Sequence, residues 1–143
     1  MGQIAVRGLP SGSNDPYTTF SALDLSRVAL VPLVQRDEAP GGRVDDDGAV
    51  RLLFAWPSAE SLIGDAFDSL RQYGLEHPGV VRAALDLAAR LGAEARTDAM
   101  RALIAGRVED LLRAYADPGA DAPDLATIRG RGRTVLDGLA TAG

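Results

Sequence analysis

Two acidic side chains one helical turn apart give the sequence its clearest chemical potential. Asp65 and Asp68 fall within one sector of a predicted helix together with Gln72, and Arg71 follows Asp68 by three residues. Carboxylates at this spacing could act as a general acid and base, as a hydrolase needs, or could bind a divalent cation through oxygen. The same pattern is more often a solvated helix face with an Asp–Arg ion pair, so we rank the hydrolase below this structural interpretation.

A second candidate is the loop RGLPSGSNDPYTTF, residues 7–20, which leads into a predicted helix. Free N–H groups at a helix N-terminus, approached through a glycine-containing turn, form a site for anions. Here Asp15 is placed to cap the helix, and Pro16 occupies its first position. Because the capping carboxylate would take up the free N–H groups and repel a phosphate, a capped corner is favoured over a ligand-binding loop.

The loop and the acidic helix could also meet in space. In one interpretation, an arginine and an aspartate pair across a helix interface and form a buried polar cluster that fixes the packing. The arginines considered are Arg7 and Arg71, and the aspartates are Asp15 and Asp68. In another interpretation, the two segments bind a small ligand or an ion. The candidate residues of this ligand site are Arg7, Asn14, Asp15, Asp68, Arg71, Gln72 and Tyr73.

The residue types that the chain lacks exclude most common enzyme classes. Among 143 residues there is no cysteine and a single histidine, so neither a thiolate nucleophile nor a typical zinc site is available. All fifteen basic residues are arginine, which removes Schiff-base chemistry and the phosphate-binding lysine of nucleotide-binding loops. The formal net charge of -5 does not favour nucleic-acid binding. The composition therefore favours a non-enzymatic protein without a metal or cofactor.

Three further motifs have structural interpretations. DDDG, residues 45–48, lacks the alternating ligands and distant glutamate of a calcium loop and is typical of a turn. RGRGR, residues 129–133, is a short basic run in an acidic protein and is predicted to be an exposed helix face. His77, directly before Pro78, is predicted to lie at the start of a helix.

Helical spacing of apolar residues dominates the chain. The first such pattern runs from Phe20 to Val34, and Pro32 should kink this helix or end it near Val31. Between residues 43 and 56, two short strands around an Asp-Gly turn are predicted to pack on the helices as a hairpin. The later helices are predicted to start at Ser58, Pro78 and Pro123 and to stop at Gly74, Gly92 and residues 117–119. The chain is thus predicted to be mainly α, a helical bundle of about five helices with one small β-hairpin, in a single soluble domain of residues 1–143.

Three stretches resemble a family of predicted bacterial integral membrane proteins of unknown function. They are QIAVRGLPSGSNDPYTTFSALD, LIGDAFDSLRQYG and HPGVV, and the resemblance extends from Gln3 to about Leu139. The first motif of the family reads approximately Ser-Pro-Gly-x-Asn-Asp-Pro-Phe-Thr, whereas this chain has Pro10-Ser11 and Tyr17 at the departing positions. The matching residues are Arg7, Gly12, Asn14, Asp15, Pro16 and Thr18 in the first motif and Asp65, Phe67, Asp68, Arg71, Gln72 and Tyr73 in the second.

The resemblance implies a parent protein with several N-terminal transmembrane helices and a soluble helical region at its C-terminus. On this basis, the chain is expected to be the C-terminal fragment of a protein of the bacterial inner membrane, with the soluble domain on the cytoplasmic side. Its expected partners are the missing transmembrane region and further copies of itself, as a homo-oligomer, and not nucleic acid. The resemblance assigns no activity, so we favour assembly or regulation of the membrane part, with the ligand- or ion-sensing module as the alternative.

Overall fold

Five α-helices and one two-stranded hairpin make up the part of the chain that the structure describes. The computed structural model describes residues 16–36, 42–53, 57–116 and 121–141, without the side chains of residues 16–20 and 22. The helices are α1 (Pro16–Val34), α2 (Ala59–Tyr73), α3 (Pro78–Glu94), α4 (Asp98–Ala116) and α5 (Ala122–Thr141), and the strands are β1 (Gly42–Val44) and β2 (Val50–Leu53). The prediction of a mainly α bundle with one small hairpin is confirmed.

Helix α3 forms the centre of the bundle. It contacts each of the other four helices, most extensively α1 and α5. Its sequence places small and branched apolar residues on more than one side, and eight of its residues are buried as a result. Among them are Val81, Ala84, Leu85, Ala88 and Leu91, which recur at helical spacing in the sequence. The hydrophobic core therefore forms around α3, and the other helices cover it.

Local capping fixes both ends of α2 and the start of α3, as predicted. The Ser58 hydroxyl oxygen accepts a hydrogen bond from the Ser61 backbone N–H at 3.1 Å. At the other end, the Gly74 N–H donates to the Leu70 carbonyl oxygen at 2.7 Å. Pro78 then occupies the start of α3, where its missing N–H costs no helical hydrogen bond. These three signals act within a few residues, which is why the sequence alone indicates them.

Gly92 does not end α3, contrary to the prediction. The helix continues to Glu94, and the backbone becomes extended only at Ala95. Gly92 is buried beneath Leu139 of α5, whose Cδ2 methyl group would overlap a side chain at that position. Its lack of a side chain therefore serves the close packing of α3 on α5 and does not mark a helix end.

Helix α1 extends past Pro32 to Val34, so the predicted end near Val31 is wrong. Proline lacks the N–H that would bond to the carbonyl group four residues earlier, and this loss normally ends or kinks a helix. Here the last turn is anchored by tertiary contacts, because Val34 is only 4% exposed. The Val34 carbonyl oxygen also accepts a hydrogen bond from the Arg96 backbone N–H at 3.4 Å. Packing on the bundle thus outweighs the local effect of proline.

The hairpin forms around the DDDG turn, as predicted. Its strands are antiparallel, with Gly42 opposite Leu53 and Val44 opposite Val50. Gly48 in the turn has a φ of 78°, a backbone conformation that glycine adopts without steric strain. The sequence pattern and the turn residue therefore agree on the position of the hairpin.

Asp45 holds the turn through its carboxylate. Its Oδ1 atom accepts hydrogen bonds from the backbone N–H groups of Asp47 at 3.1 Å and Ala49 at 2.9 Å. Its Oδ2 atom pairs with the guanidinium group of Arg51. Arg51 and these backbone donors lower the pKa of Asp45 from its usual value of 3.8. DDDG is thus a turn in which the carboxylate of the first aspartate is bound by groups of the hairpin.

The expectation that the hairpin packs on the helices is wrong. All four residues of β2 are exposed, and Leu53 is 81% exposed. On β1, Val44 is 65% exposed. The reason lies in the pattern VRLL of β2, which does not alternate apolar and polar residues and so defines no single inner face. The turn contacts of Asp45 hold the hairpin locally instead.

Candidate functional site

The acidic motif predicted from the sequence lies on α2. The inner face of this helix packs into the core through Ile63, Ala66, Phe67 and Leu70. The intervening polar residues therefore point away from the core, and Asp65, Arg71 and Gln72 are exposed. Tyr73, the last residue of the helix, is 40% exposed. Asp68 is only half-buried, because it lies at the edge that faces α4.

Asp68 is the centre of a three-residue ion cluster that joins two helices. Its Oδ1 atom accepts a hydrogen bond from Arg71 Nη2 at 3.4 Å on the same helix. The same oxygen accepts a second one from Arg107 Nη1 at 3.2 Å, and Arg107 belongs to α4. The Arg107 side chain is 31% exposed, less than its two partners. The cluster therefore links α2 to α4 at the rim of the core.

Gly64 makes room for this contact. It lies one turn before Asp68 on α2, and a Cβ atom built there would lie 2.9 Å from Arg107 Nη2. A side chain at this position would push the guanidinium group away, although the end of a flexible arginine can move at little cost. Gly64 and Asp68, four residues apart on one helix face, thus provide the space and the negative charge that accommodate an arginine from a neighbouring helix.

The sequence indicated part of this cluster. The Asp68–Arg71 ion pair on one helix face is present as predicted. The arginine that reaches across the helix interface was missed, because Arg107 lies 39 residues away from Asp68. The spacing of Gly64 and Asp68 is a signal that could have indicated a side chain from another helix packing at this position, but it does not identify that side chain. The Asp68 cluster is half-exposed.

The proton-transfer and metal-binding interpretations of this helix gain no support. Asp65 is exposed and has no aspartate partner at hydrogen-bond distance among the described residues, and two guanidinium groups occupy Oδ1 of Asp68. Within residues 16–36, 42–53, 57–116 and 121–141, no three His, Cys, Asp or Glu side chains come together as a metal site requires.

The loop motif lies mostly outside the described residues. Arg7, Asn14 and Asp15 lie outside the described residues, and so does the predicted cap of the first helix, which is Asp15. Pro16 is the first residue of α1, as predicted. The proposed meeting of the loop with Asp68 and Arg71 therefore stays a prediction.

The two remaining basic motifs behave as structural elements. The three arginines of RGRGR are exposed on α5, which confirms the predicted helix face. Arg131 among them pairs with Asp86 of α3, its Nε lying 2.9 Å from Oδ1. His77 precedes α3 as its N-cap residue and makes no side-chain capping bond.

Among the open grooves on the described surface are three that the Asp68 cluster does not line. One of about 410 Å³ lies between α1 and α3 and is lined by Arg27, Val28, Val31, Pro32 and Arg90. A second, of about 400 Å³, runs between α4 and α5 and includes Arg101, Glu109 and Leu136. A third, of about 450 Å³, is lined by Leu112, Arg113, Ala116 and Arg129. Two of the three therefore combine apolar side chains with two arginines.

Comparison with known proteins gives one finding. A family model described as "Predicted membrane protein (DUF2254)" matches residues 1–90, which include both motifs and most of α3. Arg107, the partner of Asp68 on α4, lies beyond the matched region. The searches of curated proteins and of solved structures found no match. In the described part of the chain, no helix combines the length and apolar character that crossing a bilayer requires.

Proposed function

Since the chain belongs to the DUF2254 family of predicted membrane proteins, we propose that it is a non-enzymatic helical domain that lies outside the bilayer and serves assembly or regulation of the membrane part of its parent protein. The parent is a protein of the bacterial inner membrane, and the domain lies on the cytoplasmic side. The composition supports this proposal, since cysteine and lysine are absent and there is one histidine. The described helices are compatible with it, since none of them is suited to cross a bilayer.

The observation that carries the assembly function is the exposure of large apolar side chains on α1 and the hairpin. Leu25, Val28, Val44, Val50, Leu52 and Leu53 are all more than half exposed. Exposed apolar patches of this kind are typical of contacts with another protein or a membrane. A two-stranded hairpin by itself is also marginally stable in water, so its apolar residues favour a covering partner.

Light scattering coupled to size-exclusion chromatography tests this function. We expect the parent protein in detergent to form a defined oligomer, and we expect removal of residues 16–141 to change its stoichiometry or its activity. A parent protein that stays strictly monomeric, together with a monomeric 143-residue chain, would refute the assembly function. An unchanged oligomer and activity after removal would refute both assembly and regulation.

The alternative, a ligand- or ion-sensing module, draws on one observation, which is the charge of the Asp68 cluster. One carboxylate faces two guanidinium groups there, so the cluster carries an excess positive charge. Such an excess favours an anionic ligand, with Arg71 and Arg107 as donors beside the loop residues Arg7 and Asn14.

A thermal-shift panel of phosphate, sulfate, nucleotides and divalent cations tests the sensing module. A ligand that binds only the folded state raises the melting temperature. The rise should vanish in Arg107→Gln and persist in Arg113→Gln, because Arg113 pairs with Asp110 on the same helix but lies outside the cluster. The absence of any shift across the panel would exclude this alternative.

A further inference from the structure

Helix α1 carries apolar residues on two opposite sides. One side packs on the bundle, and its buried residues are Leu23, Ser26, Leu30 and Val34. The other side is exposed and carries Leu25, Val28 and Pro32, which we call the outer stripe. Because each residue of an α-helix turns by about 100°, these two sets lie opposite one another. The bundle therefore accounts for only one of the two apolar faces.

The outer stripe has the spacing of a helix-pairing seam. Its members are separated by three and four residues, which is the pattern of successive core positions in a heptad repeat. Ser21, four residues before Leu25, is also exposed and continues the line with a small side chain that leaves room for a second helix. Leu25 is 59% exposed and Val28 is 70% exposed, so the two largest aliphatic members of the stripe lie in water. A second helix with the same spacing would cover them.

Charges beside the stripe decide which helix fits. Asp24 and Arg27 lie on the same side of the stripe, and both are exposed. Neither side chain makes a hydrogen bond or ion pair with any residue among those that the structure describes. Arg27 lines the groove between α1 and α3 with Arg90, which also pairs with Glu94 at 2.9 Å. Among the described residues, Arg27 is thus a cation without a partner in an apolar groove, and Asp24, an anion without a partner there, lies one helical turn away.

A second copy of α1 in antiparallel orientation satisfies both the seam and the charges. A two-fold axis between the levels of Leu25 and Val28 places Leu25 of one copy against Val28 of the other. The axis also keeps flanking residues on the same side of the seam, so that Asp24 of the second copy lies near the level of residue 29, beside the groove of Arg27. In a parallel, in-register pair, residues that flank the seam contact the opposite flank of the partner helix five positions later. Asp24 would then face the uncharged Ala29 of the second copy and not the groove of Arg27. The arrangement of charges therefore favours the antiparallel pair.

We propose that the outer stripe of α1 is a homodimerisation surface, on which two copies pair α1 with α1 in antiparallel orientation and Asp24 of each copy enters the Arg27–Arg90 groove of the other. The inference rests on the proposed assembly function and names its partner as a second copy of this chain. Because the seam from Ser21 to Pro32 covers only about three helical turns, the interface is small and the dimer is weak, with a dissociation constant on the order of micromolar or above.

Sedimentation equilibrium of the 143-residue chain tests the seam. Val28→Asp is expected to raise the dissociation constant at least about tenfold. Ala126→Asp, which introduces the same charge at an exposed apolar residue of α5, should leave it unchanged. Thermal melts monitored by circular dichroism check that both variants fold, as their exposure predicts.

A charge swap tests the orientation. Asp24→Arg and Arg27→Asp should each weaken the dimer, and the double variant should restore it, because the two charges then exchange places across the axis. Arg133→Asp serves as the matched control, since Arg133 is another exposed arginine without an ion pair in the described part of the chain.

The outcomes separate this inference from the proposed function. A dimer whose affinity is unaffected by Val28→Asp, or is not restored in the double variant, overturns the surface and leaves assembly intact. If the 143-residue chain is monomeric while the parent protein oligomerises, the proposal that a second copy of this chain covers the outer stripe is refuted. Flotation with vesicles that contain anionic phosphatidylglycerol, if it depends on Val28, would identify the bilayer as the occupant and overturn the dimer.

Discussion

Replacing Gly132 with alanine is expected to destabilise the protein, whereas the same change at Gly130, two residues earlier on α5, is expected to stabilise it. A Cβ atom at Gly130 would meet no other atom within 4 Å. At Gly132 it would lie 2.5 Å from Cδ1, 2.7 Å from Cδ2 and 3.1 Å from Cγ of Leu112. Since both methyl groups and the branch carbon are close, rotation of the leucine end cannot remove the overlap.

The magnitudes follow from two opposing effects. Alanine in place of a helical glycine stabilises the helix by about 0.5–1 kcal/mol, and this gain applies to both positions. Overpacking at Gly132 costs about 1–3 kcal/mol, because Leu112 or the backbone of α5 must shift. The two variants should therefore differ by about 1–3 kcal/mol, which corresponds to about 4–12 °C in melting temperature for a domain of this size.

Urea denaturation and thermal melts, both followed by circular dichroism, measure the difference. Gly138→Ala is a second control on α5, because a Cβ atom there also meets nothing within 4 Å. In a Leu112→Ala background, the penalty of Gly132→Ala should disappear, since the overlapping atoms are gone. If Gly132→Ala raises the melting temperature as much as Gly130→Ala, or if its penalty persists without Leu112, the steric reasoning is wrong.

Three further predictions follow from single side chains. Ile104→Ala should lower the free energy of unfolding by about 2–5 kcal/mol in urea titrations, because Ile104 is fully buried in the core. Arg51→Gln should move the pKa of Asp45 up towards its usual 3.8, which NMR of the Ala49 amide can follow. In the unchanged protein, the stability that the lowered pKa of Asp45 confers is present above pH 3.8 and is lost as the pH falls through the folded-state pKa. Burial raises the pKa of Tyr115 above 10.0, so absorbance titration should show a tyrosine step above pH 10 that Tyr115→Phe removes. The contribution of this raised pKa to stability is present below pH 10 and lost as the pH rises through the folded-state pKa.

The parts of the fold that the sequence predicted correctly depend on local chemistry. The cap at Ser58, the stop at Gly74 and the start at Pro78 each involve groups within four residues of one another. The turn at Gly48 is of the same kind, because its backbone φ of 78° suits glycine in any context. Such features do not need knowledge of the rest of the structure, and a single sequence is sufficient to place them.

The two helix ends that the sequence misplaced both depend on partners distant in sequence. Gly92 would be a sound helix stop in isolation, but Leu139 packs on it from 47 residues away and holds the helix together. Pro32 alone predicts a helix end near Val31, but the burial of Val34 and the hydrogen bond of its carbonyl oxygen with the Arg96 N–H extend the helix by three residues. In both cases the local preference costs about 1–3 kcal/mol, which the packing of one buried side chain can offset.

The candidate site shows the same division. The Asp68–Arg71 pair follows from helical spacing, whereas Arg107 could not be chosen from fifteen arginines without the packing of α2 on α4. The exposed outer stripe of α1 was also hidden in the sequence. Its apolar residues and the inner ones together look like one broad apolar helix, and only the bundle shows that the outer ones remain uncovered.

The position of α3 explains why the matched family region and the remainder of the chain form one core. The family model ends at residue 90, close to the last turn of α3. Yet Leu85, Leu91 and the other buried residues of α3 share a single hydrophobic cluster with Ile104 of α4 and Ile128 of α5. Without α4 and α5, one side of α3 would be exposed to water along its length, and Asp68 would lose Arg107. The helices beyond residue 90 are therefore required to bury α3, whereas the outer stripe of α1 belongs to the matched region and remains available for a partner.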